Sequence, residues 1–331
     1  MRKFRRLLMA DEVCVHAMSR VVQKRFLIDD RGMEEMRRIL RTQAAFAGLE
    51  VITFCFLRNH FHILLHIDPK RAREEVSDAE LVRRFRALYG SKRSPSLGVD
   101  AETLEVLLVQ NRPGADEARR KLLARMGDLS VFMRELKTRF TFWYNEHFKT
   151  VGTFWAERYR GVLVEPASGA LRTVAAYIDL NAVRAGLAES PGEYRYCGLG
   201  EALGGSVKEK AAYGWLTRRR KGRGEGEWAE RDVFEEYVAH VGRLTNALQA
   251  ERASRSRGTN DEEKDTVVEE GAPVEGYGAK GGAVGSASWL ERVCALGGSF
   301  GPLRKRRPKV LDATAAEPIY AAQRWRTMDG I

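Results

Sequence analysis

The sequence predicts an α+β fold, an antiparallel sheet with helices packed on one face. Three observations lead there. Strand-like and helical stretches follow in the order β-α-β-β up to Ile67. Two apolar runs, 50–57 and 60–67, are separated only by Arg58 and Asn59, a hairpin spacing. The stretch between the first two strands carries its apolar residues three and four apart, the period of a helix and not of a strand.

Residues 12–22 form the first expected strand, and Asp29, Asp30 and Gly32 mark a turn. Residues 33–47 form a helix whose buried stripe is Met33, Met36, Ile39, Leu40 and Phe46, stopped by Gly48. Strands 50–57 and 60–67 follow. Residues 79–89 form a basic amphipathic helix. From about 90 to 127 the pattern weakens around Ser94-Pro-Ser and Arg112-Pro-Gly, which reads as a helical insertion. A long helix starts at 128–130, with Leu129, Phe132, Met133, Leu136, Phe140 and Trp143 on one side. Residues 150–164 mix aromatics with arginines and end in a strand. Leu171 to Ala185 is helical and capped by Gly186.

Past residue 200 the composition changes. Arg218-Arg-Arg-Lys-Gly-Arg223 and Arg304-Lys-Arg-Arg-Pro-Lys309 are cation runs, and 228–250 is one more amphipathic helix. Residues 251–288 are charged, then glycine-rich, with hardly any large apolar residues, and a largely disordered basic tail is expected over 251–331. The predicted organisation is a catalytic domain over 1–200, a basic helical extension over 201–250 and the tail.

The net charge of +11 and the pI of about 9.6 point to a polyanionic partner, nucleic acid first. Cys14, Cys55, Cys197 and Cys294 are widely spaced with no C-x-x-C, as expected of buried or free thiols in a reducing compartment. The basic N-terminus is followed by too short an apolar run for a signal peptide, and no window approaches a transmembrane span. A soluble, cytoplasmic protein is expected, without a membrane partner.

Three of the six histidines fall in Asn59-His-Phe-His-Ile-Leu-Leu-His66. Side chains two apart on a strand share a face, so His60 and His62 point the same way and Phe61 points into the opposite layer. Two imidazoles on a rigid strand make half of a divalent metal site. The bland alternative is a pair of ordinary strand histidines on a half-solvated face. Tyr177 and Asn181 stand one turn apart on the helix 171–185 and so share a face. Asn181 offers a carbonyl oxygen as third ligand, and Tyr177 offers a phenol that can attack phosphorus. The alternatives are a half-buried helix tyrosine and a polar residue near a helix end. Tyr144, Tyr159, Tyr194 and Tyr196 compete for the nucleophile's role.

Together these segments resemble the single-tyrosine HUH transposases, and among them the REP-associated tyrosine transposases. His60-Phe61-His62 matches the HUH motif. Val15-His-Ala-Met-Ser-Arg20, Arg25-Phe-Leu-Ile-Asp29, the helix 129–139 and Gly152-Thr-Phe-Trp-Ala-Glu-Arg-Tyr-Arg160 resemble the family's other segments. Tyr177-Ile-Asp-Leu-Asn-Ala-Val-Arg-Ala-Gly186 resembles its catalytic helix. The likeness covers about residues 10–200. Ala182 and Arg58 stand where the family has proline, and Val21 where it has glycine, but no catalytic group is lost.

The resemblance implies a ferredoxin-like fold and cleavage of single-stranded DNA near imperfect palindromes with Mg²⁺ or Mn²⁺. It implies Tyr177 as nucleophile, a 5′-phosphotyrosine intermediate, and His60, His62 and Asn181 as metal ligands. Family members occur as homodimers and as monomers. Lys137, Arg139, Arg158, Arg160 and Arg184 are the expected DNA contacts, with solvated surface charges as the alternative. Trp143 and Trp155 suit base stacking or the core, the core being favoured. His66 is expected to face the same side as His60 and His62. The predicted function is transposase-like nicking and rejoining of hairpin DNA. Alternatives are a non-mobile enzyme of the same chemistry, a binding-only regulator of palindromic repeats, and a metal phosphoesterase with no covalent step.

Overall fold

Strand β1 (Val13–Arg20) is apolar on both faces except for His16, Ser19 and the exposed Arg20 at its end, which suits the middle of a sheet. The structure, a computed structural model, describes residues 12–73, 76–166, 169–216 and 230–257, and three short strands beyond. After β1 come helix α1 (Asp30–Ala47), strand β2 (Glu50–Phe56) and strand β3 (His60–Ile67). Asp29 caps α1 by accepting from the Gly32 amide at 2.7 Å, and Gly48, left-handed at φ 66°, ends it. β3 pairs antiparallel with β1 and with β2.

Five helices follow: α2 (Pro69–Arg73), α3 (Asp78–Tyr89), α4 (Ala101–Val109), α5 (Ala115–Leu123) and the long α6 (Leu129–Phe148). Helices α3 to α5 close a small apolar core of their own around Phe85, Leu104, Leu108 and Leu122, roofed by Phe46 of α1. The expected insertion is therefore a packed helical unit, and its core draws in residues from Ala72 onward. Strand β4 (Arg160–Val164) pairs antiparallel with β1 on its other edge. The first four strands stand in the order β2-β3-β1-β4, every neighbouring pair antiparallel.

One expectation is corrected. Helices cover both faces of the sheet, not one. Phe61 points to the face of α1 and α6, where its ring lies 5.3 Å from Trp155, itself 5.6 Å from Phe140 of α6. Thr53 points to the other face, where its hydroxyl donates to Asp179 at 2.5 Å on helix α7 (Gly169–Asp179). All eight residues of β3 are buried. An antiparallel strand half-exposed to water alternates apolar and polar, whereas Ile63-Leu64-Leu65 is apolar on both sides.

A second correction concerns the helix expected over 171–185. It breaks at Leu180 into α7 and the one-turn α8 (Asn181–Arg184). The chain then leaves through Gly186 at φ 70°, where the Leu187 amide reaches back to the Ala182 carbonyl at 2.9 Å.

The extension is not a separate appendage. After α9 (Gly198–Leu203) and α10 (Val207–Ala212), Tyr213 enters the main core fully buried. Helix α11 (Glu230–Arg257) adds Phe234, Tyr237 and Val241 to the same core. It lies along α7 and α8. Arg172 donates to the Glu236 carboxylate at 2.6 Å, Tyr237 to Asp179 at 2.6 Å, and Arg252 to the carbonyls of Val183 and Arg184 at 2.6 and 2.7 Å. Within the segment expected as disordered tail, α11 runs on to Arg257, and three strands extend the sheet. They are β5 (Gly282–Gly285), parallel to β4, then β6 (Lys309–Asp312) and β7 (Ile319–Gln323), in the order β4-β5-β7-β6. The rest of that tail, the cation run 218–223 and nearly all of 304–309 lie outside the described residues.

Cys14, Cys55 and Cys197 are buried free thiols, and Cys294 lies outside the described residues. Among the described residues no helix is long and apolar enough to cross a membrane.

Candidate active site

Strand alternation places His60 and His62 on the α7 face of β3, with ring centroids 5.1 Å apart and planes at 83°. Both are buried, at 3% and 6% exposure. The Nδ1 atom of each ring is held by a neighbour. For His60 the partner is the Asn59 Oδ1, at 2.5 Å. For His62 it is His16 Nε2 on β1, at 2.8 Å. The register makes this contact possible, because His16 pairs with Leu64 and so sits diagonal to His62. With Nδ1 taken in both rings, coordination would fall to Nε2, the arrangement in which an outer neighbour orients a metal-binding histidine.

Burial pushes His16 down to about 3, so it is neutral across the physiological range. His62 is held well below the usual histidine range, first by desolvation and then by the neighbouring basic groups His16, His60, Arg20 and Arg184, which oppose a positive charge there. A neutral imidazole keeps the lone pair that a cation needs.

Helix α7 brings Tyr177 to this face. Its ring centroid is 5.9 Å from His62 and 6.0 Å from His16, edge-on to both. Asn181 opens α8, and its Nδ2 donates to the carbonyls of Tyr177 at 3.1 Å and Ile178 at 3.4 Å. The amide nitrogen is thus turned to the helix, so Oδ1 is the atom that could hold a ligand. Two imidazoles and an amide oxygen are a donor set that would suit a divalent ion of intermediate hardness. Among the described residues no group of three or more His, Cys, Asp or Glu is arranged for a metal. A bound ion would rely on the mixed set His60, His62 and Asn181.

Arg184, the last residue of α8, places its guanidinium 4.7 Å from the centre of the Tyr177 ring. Its Nε and Nη1 are buried without an acceptor among the described residues, and desolvation lowers its pKa. Of the five cations expected to grip DNA, this one stands beside both Tyr177 and His62. Lys137 donates to the Glu157 carbonyl at 2.5 Å over the Trp155 ring, and burial lowers it to about 8. Arg139 lies over Tyr89 at 5.0 Å, and Arg160 pairs with Glu157. Arg158 is exposed.

The other tyrosines have different partners. Tyr194 donates to the Phe56 carbonyl at 2.7 Å, and Tyr196 to that of Asp30 at 3.2 Å. Tyr159 meets the Ser130 hydroxyl at 3.2 Å, and Tyr144 packs against Phe154 at 4.4 Å. His66 lies against Trp215 at 3.6 Å and bonds Glu12 at 2.8 Å. Trp155 is 7% exposed and Trp143 half-buried.

Sequence reasoning missed His16, Arg20 and Asp179. For His16 the available signal was a histidine in an otherwise apolar strand. Asp179 is fully buried and receives hydroxyl donors from Thr53, Tyr213 and Tyr237.

No family model and no curated protein matches the chain. One similar solved structure is described as "Structure of the REP associates tyrosine transposase bound to a REP hairpin". It is 12% identical, over 59% of this chain and 81% of that one, with a TM-score of 0.36. A likeness of that size decides neither fold nor function.

Proposed function

We propose that the chain is a metal-dependent single-stranded DNA nickase and strand transferase of the single-tyrosine HUH type. Tyr177 is its nucleophile, and His60, His62 and Asn181 are its metal ligands. The observation that carries this reading is the meeting of Tyr177 with His62 within 5.9 Å, from segments 115 residues apart (177 minus 62), with Asn181 one turn further on. The order β2-β3-β1-β4, with α1 and α6 as the crossing helices, supports a ferredoxin-like core.

The chemistry follows from the groups present. The Tyr177 oxygen loses its proton and bonds to phosphorus, the bond to the 3′ oxygen breaks, and that oxygen takes up a proton. The 5′ end stays on the protein as a phosphotyrosine. The reverse attack by a 3′-hydroxyl rejoins a strand with no external energy source. Arg184 supplies positive charge beside the phenol. His16 and Asn59 orient the two histidines. A bound Mg²⁺ or Mn²⁺ supplies charge withdrawal from the phosphate. The partner is single-stranded or hairpin DNA, bound by a monomer or homodimer, in the cytoplasm at the nucleoid.

The test is a denaturing gel of purified protein with single-stranded palindromic oligonucleotides and Mn²⁺. A covalent protein–DNA band is expected, absent in Tyr177→Phe and in His60→Ala/His62→Ala. Cleavage that survives Tyr177→Phe means another nucleophile. Binding with no cleavage in any metal means a regulator.

A further inference from the structure

The turn between β1 and α1 is built unlike an ordinary connection. Gln23 and Lys24 both adopt left-handed backbone, at φ 55° and 56°, where residues with a Cβ are uncommon. Two residues on, Phe26 is 72% exposed. Helix α1 does not need it. Ile28, directly before the Asp29 cap, is buried in the place of an apolar staple.

The turn is tied to the histidines. The Val21 amide donates to the Asn59 carbonyl at 2.8 Å, and the Ile28 amide to that of Arg58 at 2.9 Å. The Asn59 side chain spans the two elements. Its Nδ2 donates to the Lys24 carbonyl at 3.3 Å, while its Oδ1 holds His60 Nδ1 at 2.5 Å. Two hydrogen bonds through one side chain thus join the turn to the candidate ligand His60. Lys24 and Arg25, directly before Phe26, are exposed, as is Arg58 across the turn, while the exposed Asp29 is engaged at the start of α1 as its cap. None of the three cations has an ion pair among the described residues.

We propose that this turn is a binding site for single-stranded nucleic acid, in which Phe26 stacks on one unpaired base and Lys24 and Arg25 take the flanking phosphates. An exposed aromatic next to two exposed cations suits an unstacked base and its neighbouring phosphates, and an aromatic face accepts any base. The bond through Asn59 places that base next to the strand that carries His60. The proposal rests on the reading of single-stranded DNA as the partner, but needs neither Tyr177 nor a metal.

The experiment uses the full chain with Tyr177→Phe, in EDTA, so that cleavage and metal play no part. Binding of a fluorescent single-stranded oligonucleotide is followed by anisotropy, and 2-aminopurine is stepped through the strand. Phe26→Ala is expected to weaken binding about 5- to 150-fold, the span of one base–aromatic stack. It should also abolish quenching of 2-aminopurine at one position. Phe26→Trp should restore both, and Phe26→Leu should not. Lys24→Ala/Arg25→Ala should flatten the slope of log affinity against log salt by about 1.4. Unchanged binding and quenching in Phe26→Ala, or full binding by Phe26→Leu, would overturn the proposal. The two readings fail separately. A wild-type chain that forms the covalent adduct while Phe26→Ala binds normally sinks only this proposal. A chain that forms no adduct yet needs Phe26 for binding sinks only the tyrosine mechanism.

Discussion

His16 Nε2 and His62 Nδ1 lie 2.8 Å apart, buried, from strands 46 residues apart in sequence. One of the two must carry the proton, and the choice decides what His62 can do. If His62 donates from Nδ1, its Nε2 keeps a lone pair for a cation, and the neutral His16 accepts. If His16 donates instead, His62 carries its proton on Nε2 and cannot coordinate there.

With His62 as the proposed ligand, removal of His16 would act on metal affinity. His16→Ala is expected to weaken Mn²⁺ binding by about 10- to 100-fold, the usual effect of losing an outer partner. His16→Gln, whose side-chain oxygen can accept, should recover part of it. Titration calorimetry with Mn²⁺ reads this directly, and thermal melting of the metal-free variants corrects for lost packing. Equal Mn²⁺ affinity in wild type and His16→Ala would show that the contact serves packing alone.

Arg184 separates function from stability. A buried guanidinium whose Nε and Nη1 find no acceptor among the described residues weakens the ligand-free fold. Arg184→Met keeps much of the bulk and removes the charge. Urea denaturation should show the variant gaining on the order of 1 kcal/mol, after loss of the contact with Tyr177 is set against relief of the unpaired donors. Affinity for single-stranded DNA should fall in the same protein. A variant that loses stability and keeps its affinity would mark Arg184 as a structural residue.

The divide between what sequence showed and what it hid follows physical range. The β-α-β-β order was legible because periods of 2 and 3.6 are local. His60 and His62 share a face by the same rule, and Tyr177 and Asn181 by helical spacing, although a break at Leu180 separates them. The His16 contact depends on cross-strand register, which no local period encodes. Lys137 and Arg139 looked like free cations on the polar side of a helix. Their long stems instead carry the charges over Trp155 and Tyr89. Tyr213 and Tyr237 read as members of a separate extension because nothing local says that a core carboxylate awaits their hydroxyls.

That carboxylate sets the last prediction. Asp179 stands two residues beyond Tyr177, fully buried, and joins α7 to β2 through Thr53 and to the extension through Tyr213 and Tyr237. Burial lifts its pKa from 3.8 to about 6, although the hydroxyl donors pull it the other way. Between those two values the native state holds a proton that the unfolded chain has released. Its contribution is fully present below about pH 4 and is lost as pH rises through about 6. The gap of about 2 units corresponds to on the order of 3 kcal/mol. Urea denaturation from pH 4 to 7 should show the wild type losing stability relative to Asp179→Asn, whose amide does not titrate. Tyr237→Phe removes a donor that stabilises the carboxylate, so the same loss should be centred at higher pH in that variant. A constant difference between wild type and Asp179→Asn across the range would mean that Asp179 titrates normally. The three donors would then hold α7 without any pH dependence reaching the helix that carries Tyr177.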